Sequence, residues 1–164
     1  MNVRNVKICV IGDDTTDKTV FLNRFARSDF KSDYMKTVGA KFYYAAVKSK
    51  DDENHLYIFE LTNNSFFKNL IKQYEEGAQC FMYFFDISRE GTLDFLRDKV
   101  VAGQYNVLVG CKKSKDFVIP EKTINDFIKD YNINDYFTTE VNSLEDTLLL
   151  QQICDKVKAN WIKK

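Results

Sequence analysis

No run in this chain approaches the roughly eighteen uninterrupted apolar residues that a membrane-spanning helix requires, so no transmembrane span is expected. The first residues carry Arg4 and Lys7 but no apolar segment followed by a small-residue cleavage site, so no secretory signal is expected either. Charge of one sign is also missing. Lys and Arg number 24 and Asp and Glu 24, a balance that argues against a surface built for nucleic acid. The four cysteines, Cys9, Cys80, Cys111 and Cys154, never fall in a C-x-x-C pair, which points to free thiols in a reducing cytoplasm. There is no internal repeat, linker or low-complexity tract to divide the chain. An ordinary 45% apolar and 29% charged content therefore predicts one soluble domain over residues 1–164 with a core of its own.

Two kinds of segment alternate. Val6–Gly12, His55–Leu61, Cys80–Ile87 and Asn106–Gly110 are short runs rich in β-branched and aromatic residues, as strands covered on both faces require. Helix-period stretches lie between them, at Lys18–Arg27, Ser65–Glu75, Thr92–Val100, Glu121–Tyr131 and Leu144–Ile162. In the last of these Leu148, Leu149, Ile153, Val157 and Trp161 predict the buried face. KFYYAAVKSKDDENHLYIFEL reads as a hairpin turning at KSKDDEN, and Pro120 before Glu121 suits a helix entry. Such alternation predicts an α/β domain with a mostly parallel sheet, whose ligands bind at the carboxyl ends of its strands. Gly12 falls at such an end.

There the chain reads GDDTTDKT, residues 12–19. This is the frame of a phosphate loop, G-x-x-x-x-G-K-[ST], without its second glycine. Such loops work because glycines let backbone N–H groups converge on phosphate oxygens, while the lysine reaches the outer phosphates and the hydroxyl holds Mg²⁺. Gly12, Lys18 and Thr19 keep those roles. Asp17, where the glycine would stand, adds a Cβ and a negative charge. At about 4 Å and an effective dielectric of about 20, each such charge pair costs roughly 4 kcal/mol. Asp17 also suits the N-cap of a helix beginning at Lys18, where its carboxylate would take the place of phosphate.

KICVIGDDTTDKTVFLNRF, YMKTVGAKFY, IFELTNNSFF, MYFFDISRE, VLVGCKKS and YFTTEVNS succeed one another in an order that resembles a Ras-superfamily small GTPase, nearest its Rab branch, over about residues 5–162. The resemblance implies the three-layer P-loop NTPase (small GTPase G-domain) fold, an α/β architecture with a mostly parallel six-stranded sheet and helices on both faces. Its third helix looks several residues short.

The resemblance also assigns roles. Thr37 stands at the magnesium-binding threonine of switch I, beside Thr19, and Phe30 at the aromatic that packs over the base. Cys111 and Ser114 replace the asparagine and aspartate that read guanine, leaving only Lys112 of that motif, and Glu140 brings another acid near the base. A thiol and a neutral hydroxyl cannot supply the aspartate's bidentate acceptor. Asn63 stands at the glycine of switch II and Asn64 at the glutamine that orients water; Asn64 is one methylene short and is not expected to be competent. Glu60 replaces the metal-side aspartate.

For partners, Thr37, Phe42 and Phe59 match positions of the switch I/II face, and Glu75 is read at the third aromatic position there. The tail ANWIKK has no cysteine in its last ten positions and Asn2 excludes N-myristoylation, so no direct membrane anchor is expected: the protein is soluble, reaches membranes through a partner, or is part of something longer. The expectation is a Rab-like pseudoGTPase that takes no cofactor and meets protein partners. The alternative is a switch that binds GTP or GDP with Mg²⁺ weakly and hydrolyses it slowly or not at all.

Overall fold

The computed structural model of the chain describes residues 2–25, 38–48, 50–112, 114–139 and 146–162, the side chains of residues 25, 146, 147 and 160–162 excepted. Phe30, Thr37, Glu140 and the last two residues of the helix expected to reach Arg27 lie outside them, as does the side chain of Trp161.

Six strands form one sheet: β1 (Asn2–Gly12), β2 (Ala40–Lys48), β3 (Asp52–Leu61), β4 (Cys80–Asp86), β5 (Tyr105–Cys111) and β6 (Asp135–Thr139). Their spatial order is β2-β3-β1-β4-β5-β6. The β2–β3 hairpin is antiparallel and every other pairing is parallel. The helices are α1 (Lys18–Phe25), α2 (Lys68–Glu75), α3 (Glu90–Asp94), α4 (Glu121–Asp130) and α5 (Asp146–Ile162), with a 3₁₀ turn at Ser65–Phe67 leading into α2.

Alternation along β1 sorts the core into two layers. Val6, Ile8 and Val10 face Phe21 and Leu22 of α1 and Leu149, Leu150, Ile153 and Val157 of α5. Cys9 and Ile11 face the opposite layer, with Leu93 of α3 and Ile124 and Phe127 of α4. β4 and β5 are buried at every residue, the condition expected of central parallel strands clad on both sides. At the amino ends of the strands, Asp52 takes Arg4 and Lys158, while Asp135 takes Tyr105 and Lys156. Both carboxylates thereby tie α5 down.

The six-stranded α/β expectation holds, with local corrections. Leu148 points outward, 64% exposed, and Leu150 replaces it on the buried face of α5. The hairpin turn is tighter than KSKDDEN, because β2 runs to Lys48 and β3 resumes at Asp52. Helical structure at Thr92–Val100 is confined to Glu90–Asp94. Beyond it, Leu96, Arg97 and Lys99 donate to carbonyls three residues back, a tighter winding that puts both Leu93 and Leu96 into the core.

Candidate functional site

β1 delivers Gly12 to the carboxyl edge of the sheet, where the chain turns toward α1. A Cβ at Gly12 would lie 2.8 Å from the Phe84 carbonyl oxygen of β4, so this glycine is required by the packing of the loop on its neighbouring strand. The next residues fold on themselves. Asp13 Oδ1 accepts the Thr15 backbone N–H at 2.8 Å and the Thr15 hydroxyl at 2.5 Å, and the Asp13 carbonyl accepts the Thr16 N–H at 3.0 Å and hydroxyl at 2.7 Å. The Thr15 bonds hold the Asp13 carboxyl below the usual aspartate range. Two backbone N–H groups that a phosphate loop would aim at an anion are thus bonded within the loop.

Lys18 is buried, 4% exposed. Its ammonium donates to the carbonyls of Gly12 at 2.9 Å and Asp13 at 3.1 Å and lies 3.7 Å from Asp14 Oδ1. Burial pulls its pKa down, and the charges of Glu60, Asp14 and Asp13 oppose that pull. Asp17 is half-buried and occupies the N-cap position of α1 through its backbone, its carbonyl accepting Phe21 N–H at 2.8 Å. The loop carboxylate that meets the lysine is Asp14.

Glu60 at the end of β3 is 2% exposed. Its Oε1 accepts the Thr19 hydroxyl and its Oε2 the Tyr43 hydroxyl, the latter at 2.8 Å. The extra methylene relative to aspartate lets one carboxylate span α1 and β2. Asn63, just beyond β3, donates through Nδ2 to the Gly12 carbonyl and to Asp14 Oδ1, both at 2.9 Å. Asn64 caps the 3₁₀ turn, its Oδ1 accepting Phe66 N–H at 3.0 Å. Its amide oxygen is therefore occupied in a local turn rather than aimed at the loop.

Lys18, Thr19 and Glu60 are of the right kind to hold phosphate and Mg²⁺, yet their polar atoms are committed to protein partners in this arrangement. Around the lysine stand Asp13, Asp14 and Glu60. A triphosphate entering this half of the site would displace these bonds. In the base half, Cys111 is buried at the end of β5 and Lys112 is exposed. Ser114 receives the Asp116 N–H on its hydroxyl and gives its own N–H to Ser88, both at 3.2 Å. The structure brings together Gly12, Lys18 and Thr19 and adds Tyr43 and Glu60. Lys112 is exposed just past β5, and Phe30 and Thr37 lie outside the described residues.

On the neighbouring face, Phe42 of β2 and Phe59 of β3 meet edge to face at 5.1 Å, and Tyr74 of α2 sits 5.8 Å from each. The third aromatic exists after all: it is Tyr74, not Glu75. The two are adjacent in sequence, but about 100° of helical rotation turns one over the sheet and away from the other's direction. Glu75 instead lines a cleft of about 470 Å³ with Ile11, Leu61, Asn64, Lys68 and Ile71. Burial there pushes its carboxyl pKa up. Phe66 meets Phe67 edge to face at 5.1 Å and is 84% exposed. Among the described residues no helix is long and apolar enough to cross a membrane, and no group of three metal-binding side chains is assembled.

Comparison with known proteins matches residues 7–142 to the Ras family. The GTP-binding protein yptV5 of Volvox carteri is 28% identical over 93 residues, 57% of this chain and 45% of that protein. The Ras-related protein Rab-22A of Homo sapiens is 25% identical over 136 residues, 80% of this chain and 70% of that protein. The Ras-related protein Rab-3A of Homo sapiens is 28% identical over 92 residues, 56% of this chain and 42% of that protein. The matched stretch thus spans less than half the length of two of these relatives.

Proposed function

This chain belongs to the Ras family, and from that premise we propose that it is a Rab-like pseudoGTPase: a G-domain fold over residues 1–164 that has lost efficient GTP binding and hydrolysis and works as a protein-interaction module in trafficking or signalling. The observation that carries this reading is the internal commitment of the loop donors. Thr15 and Thr16 give their N–H groups to Asp13, Lys18 gives its ammonium to Gly12 and Asp13, and Thr19 gives its hydroxyl to Glu60. A triphosphate would have to break these bonds while entering a group of carboxylates, and each unscreened repulsion costs a few kcal/mol. The residues at the base motif, Cys111 and Ser114, offer no compensating acceptor. Asn64, occupied as a cap, supports the absence of hydrolysis.

The interaction role rests on the other face. Phe42, Phe59 and Tyr74 form a half-buried aromatic cluster of the sort that supplies anchors at protein interfaces. Recruitment to a membrane, on this reading, is the partner's contribution.

The retained Lys18–Thr19 pair beside Glu60 favours a second reading, a weak Mg²⁺-dependent switch. Denaturing freshly purified protein and chromatographing the supernatant separates the two. The pseudoGTPase reading expects strongly sub-stoichiometric guanine nucleotide, and titration with labelled GTP and Mg²⁺ giving a Kd weaker than about 10 μM. Stoichiometric GDP or GTP would overturn it.

A further inference from the structure

Two segments far apart in sequence are joined by a single side chain. Asn63 lies at the exit of β3, and its Nδ2 reaches the Gly12 carbonyl and Asp14 Oδ1 at 2.9 Å each. A primary amide carries two N–H donors, and both are used here. The orientation of the amide is dictated by chemistry, since the flipped form would press its oxygen against two acceptors. The same two acceptors also serve Lys18, at 2.9 and 3.7 Å. Lys18, the Gly12 carbonyl, Asn63 and Asp14 therefore close a ring that binds the end of β3 to the loop between β1 and α1.

The residues flanking Asn63 and the helix beyond it are anchored in turn. Thr62 N–H donates to the Gly39 carbonyl at 2.9 Å, Asn64 caps the 3₁₀ turn, and Tyr74 hydroxyl donates to the Val38 carbonyl at 2.9 Å. Gly39, at φ +77°, leaves room for Phe67: a Cβ there would stand 2.7 Å from the Phe67 side chain. Every one of these contacts is made by the protein with itself. In GTPase switches the equivalent ordering depends on contacts to the terminal phosphate and Mg²⁺, and it is lost when they go.

We propose that Asn63 is a built-in latch, a positioning residue that ties the segment Thr62–Glu75 to the Gly12–Asp14 loop and so keeps the Phe42–Phe59–Tyr74 face in one arrangement without any nucleotide. The proposal deepens the pseudoGTPase reading and rests on it for the claim that no nucleotide shares the task. A glycine at this position has no side chain to make the tie, and aspartate would set a second carboxylate against Asp14. Asparagine has both the reach and the donors.

Hydrogen–deuterium exchange on the nucleotide-free full chain tests it. Asn63→Ala is expected to speed exchange across residues 62–75 by about tenfold, as loss of two modest hydrogen bonds allows, while β4 and β5 keep their wild-type protection. Asp14→Ala, at an exposed position, should act in the same direction and more weakly. The double variant should exchange more slowly than the product of the two single effects predicts, because the Asn63–Asp14 bond is shared and only the longer Lys18–Asp14 pairing is lost besides. Wild-type exchange rates over residues 62–75 in both single variants would overturn the latch. So would an acceleration spread equally over β4 and β5, which marks general destabilisation. If Asn63→Ala does not fold, Asp14→Ala decides alone by the same criterion. Repeating wild type with Mg²⁺–GTP keeps the two ideas separate. Slowed exchange over residues 12–19 would overturn the pseudoGTPase reading, while the nucleotide-free variants still judge the latch.

Discussion

Removing one hydroxyl at Tyr43 tests the physical account of the loop most directly. Tyr43 and Glu60 are 3% and 2% exposed, and the phenol donates to Glu60 Oε2 at 2.8 Å. Burial, and after it the neighbouring Glu60 charge, raises the phenol's pKa far above its ordinary value, so it remains a donor across the workable pH range. Phenylalanine preserves the ring and its packing, including the approach of Lys41, and deletes only the donor. A hydrogen bond to a charged group contributes about 1.5–3 kcal/mol, and its loss here strands a carboxylate oxygen away from water. With about 2–4 °C per kcal/mol for a chain of this size, Tyr43→Phe should lower Tm by roughly 3–12 °C. Urea unfolding followed by circular dichroism would measure the free energy. A cycle with Glu60→Gln should return a coupling of about 1 kcal/mol or more, since the residues touch. A loss under about 0.5 kcal/mol, the range of an ordinary surface change, would refute the reasoning. Glu60 would then be satisfied by water, as a carboxylate poised for Mg²⁺ should be, and the case for a self-satisfied loop would weaken.

Three further outcomes are expected. Gly12→Ala should destabilise by about 1–3 kcal/mol through overpacking, because its Cβ meets backbone oxygen at 2.8 Å; unchanged thermal unfolding would show that the loop can shift aside. Asp52 is held below the ordinary aspartate value of 3.8, first by its bond from Lys158. A lowered folded-state pKa stabilises above that value, and the contribution is lost as pH falls through the folded-state pKa. Lys158→Ala should therefore be less stable than wild type at neutral pH, with the gap closing below pH 3.8 in denaturant titrations; a constant gap would place its effect elsewhere. Burial pushes the Cys9 and Cys154 thiols up to about 12, so iodoacetamide at mildly alkaline pH should label neither until the protein is unfolded, and rapid labelling of native protein in a mass spectrum would contradict the packing.

Local pattern was enough for much of this molecule. A β-branched run at Val6–Gly12 and an aromatic one at Cys80–Asp86, separated by helix-period segments, determine a parallel α/β sheet, since only strands covered on both faces tolerate such continuous apolar character. The GDDTTDKT stretch likewise carried its own message: acids had entered a loop whose work depends on glycine. Errors arose where a residue's neighbour was remote. Leu148 and Leu150 are equally apolar, and only the docking angle of α5 on the sheet selects one for burial. Tyr74 and Glu75 differ by one step of a helix, and the sheet beneath α2 decides which joins Phe42 and Phe59. Asn63, read in one dimension, was a missing glycine. The fold brings Gly12 and Asp14, about fifty residues earlier in the chain, within reach of its amide. Periodicity is a property of adjacent residues and survives in the sequence. Hydrogen bonds between distant segments exist only once the sheet has set their separation, so the tertiary structure alone decided what Asn63, Tyr43 and Glu60 do.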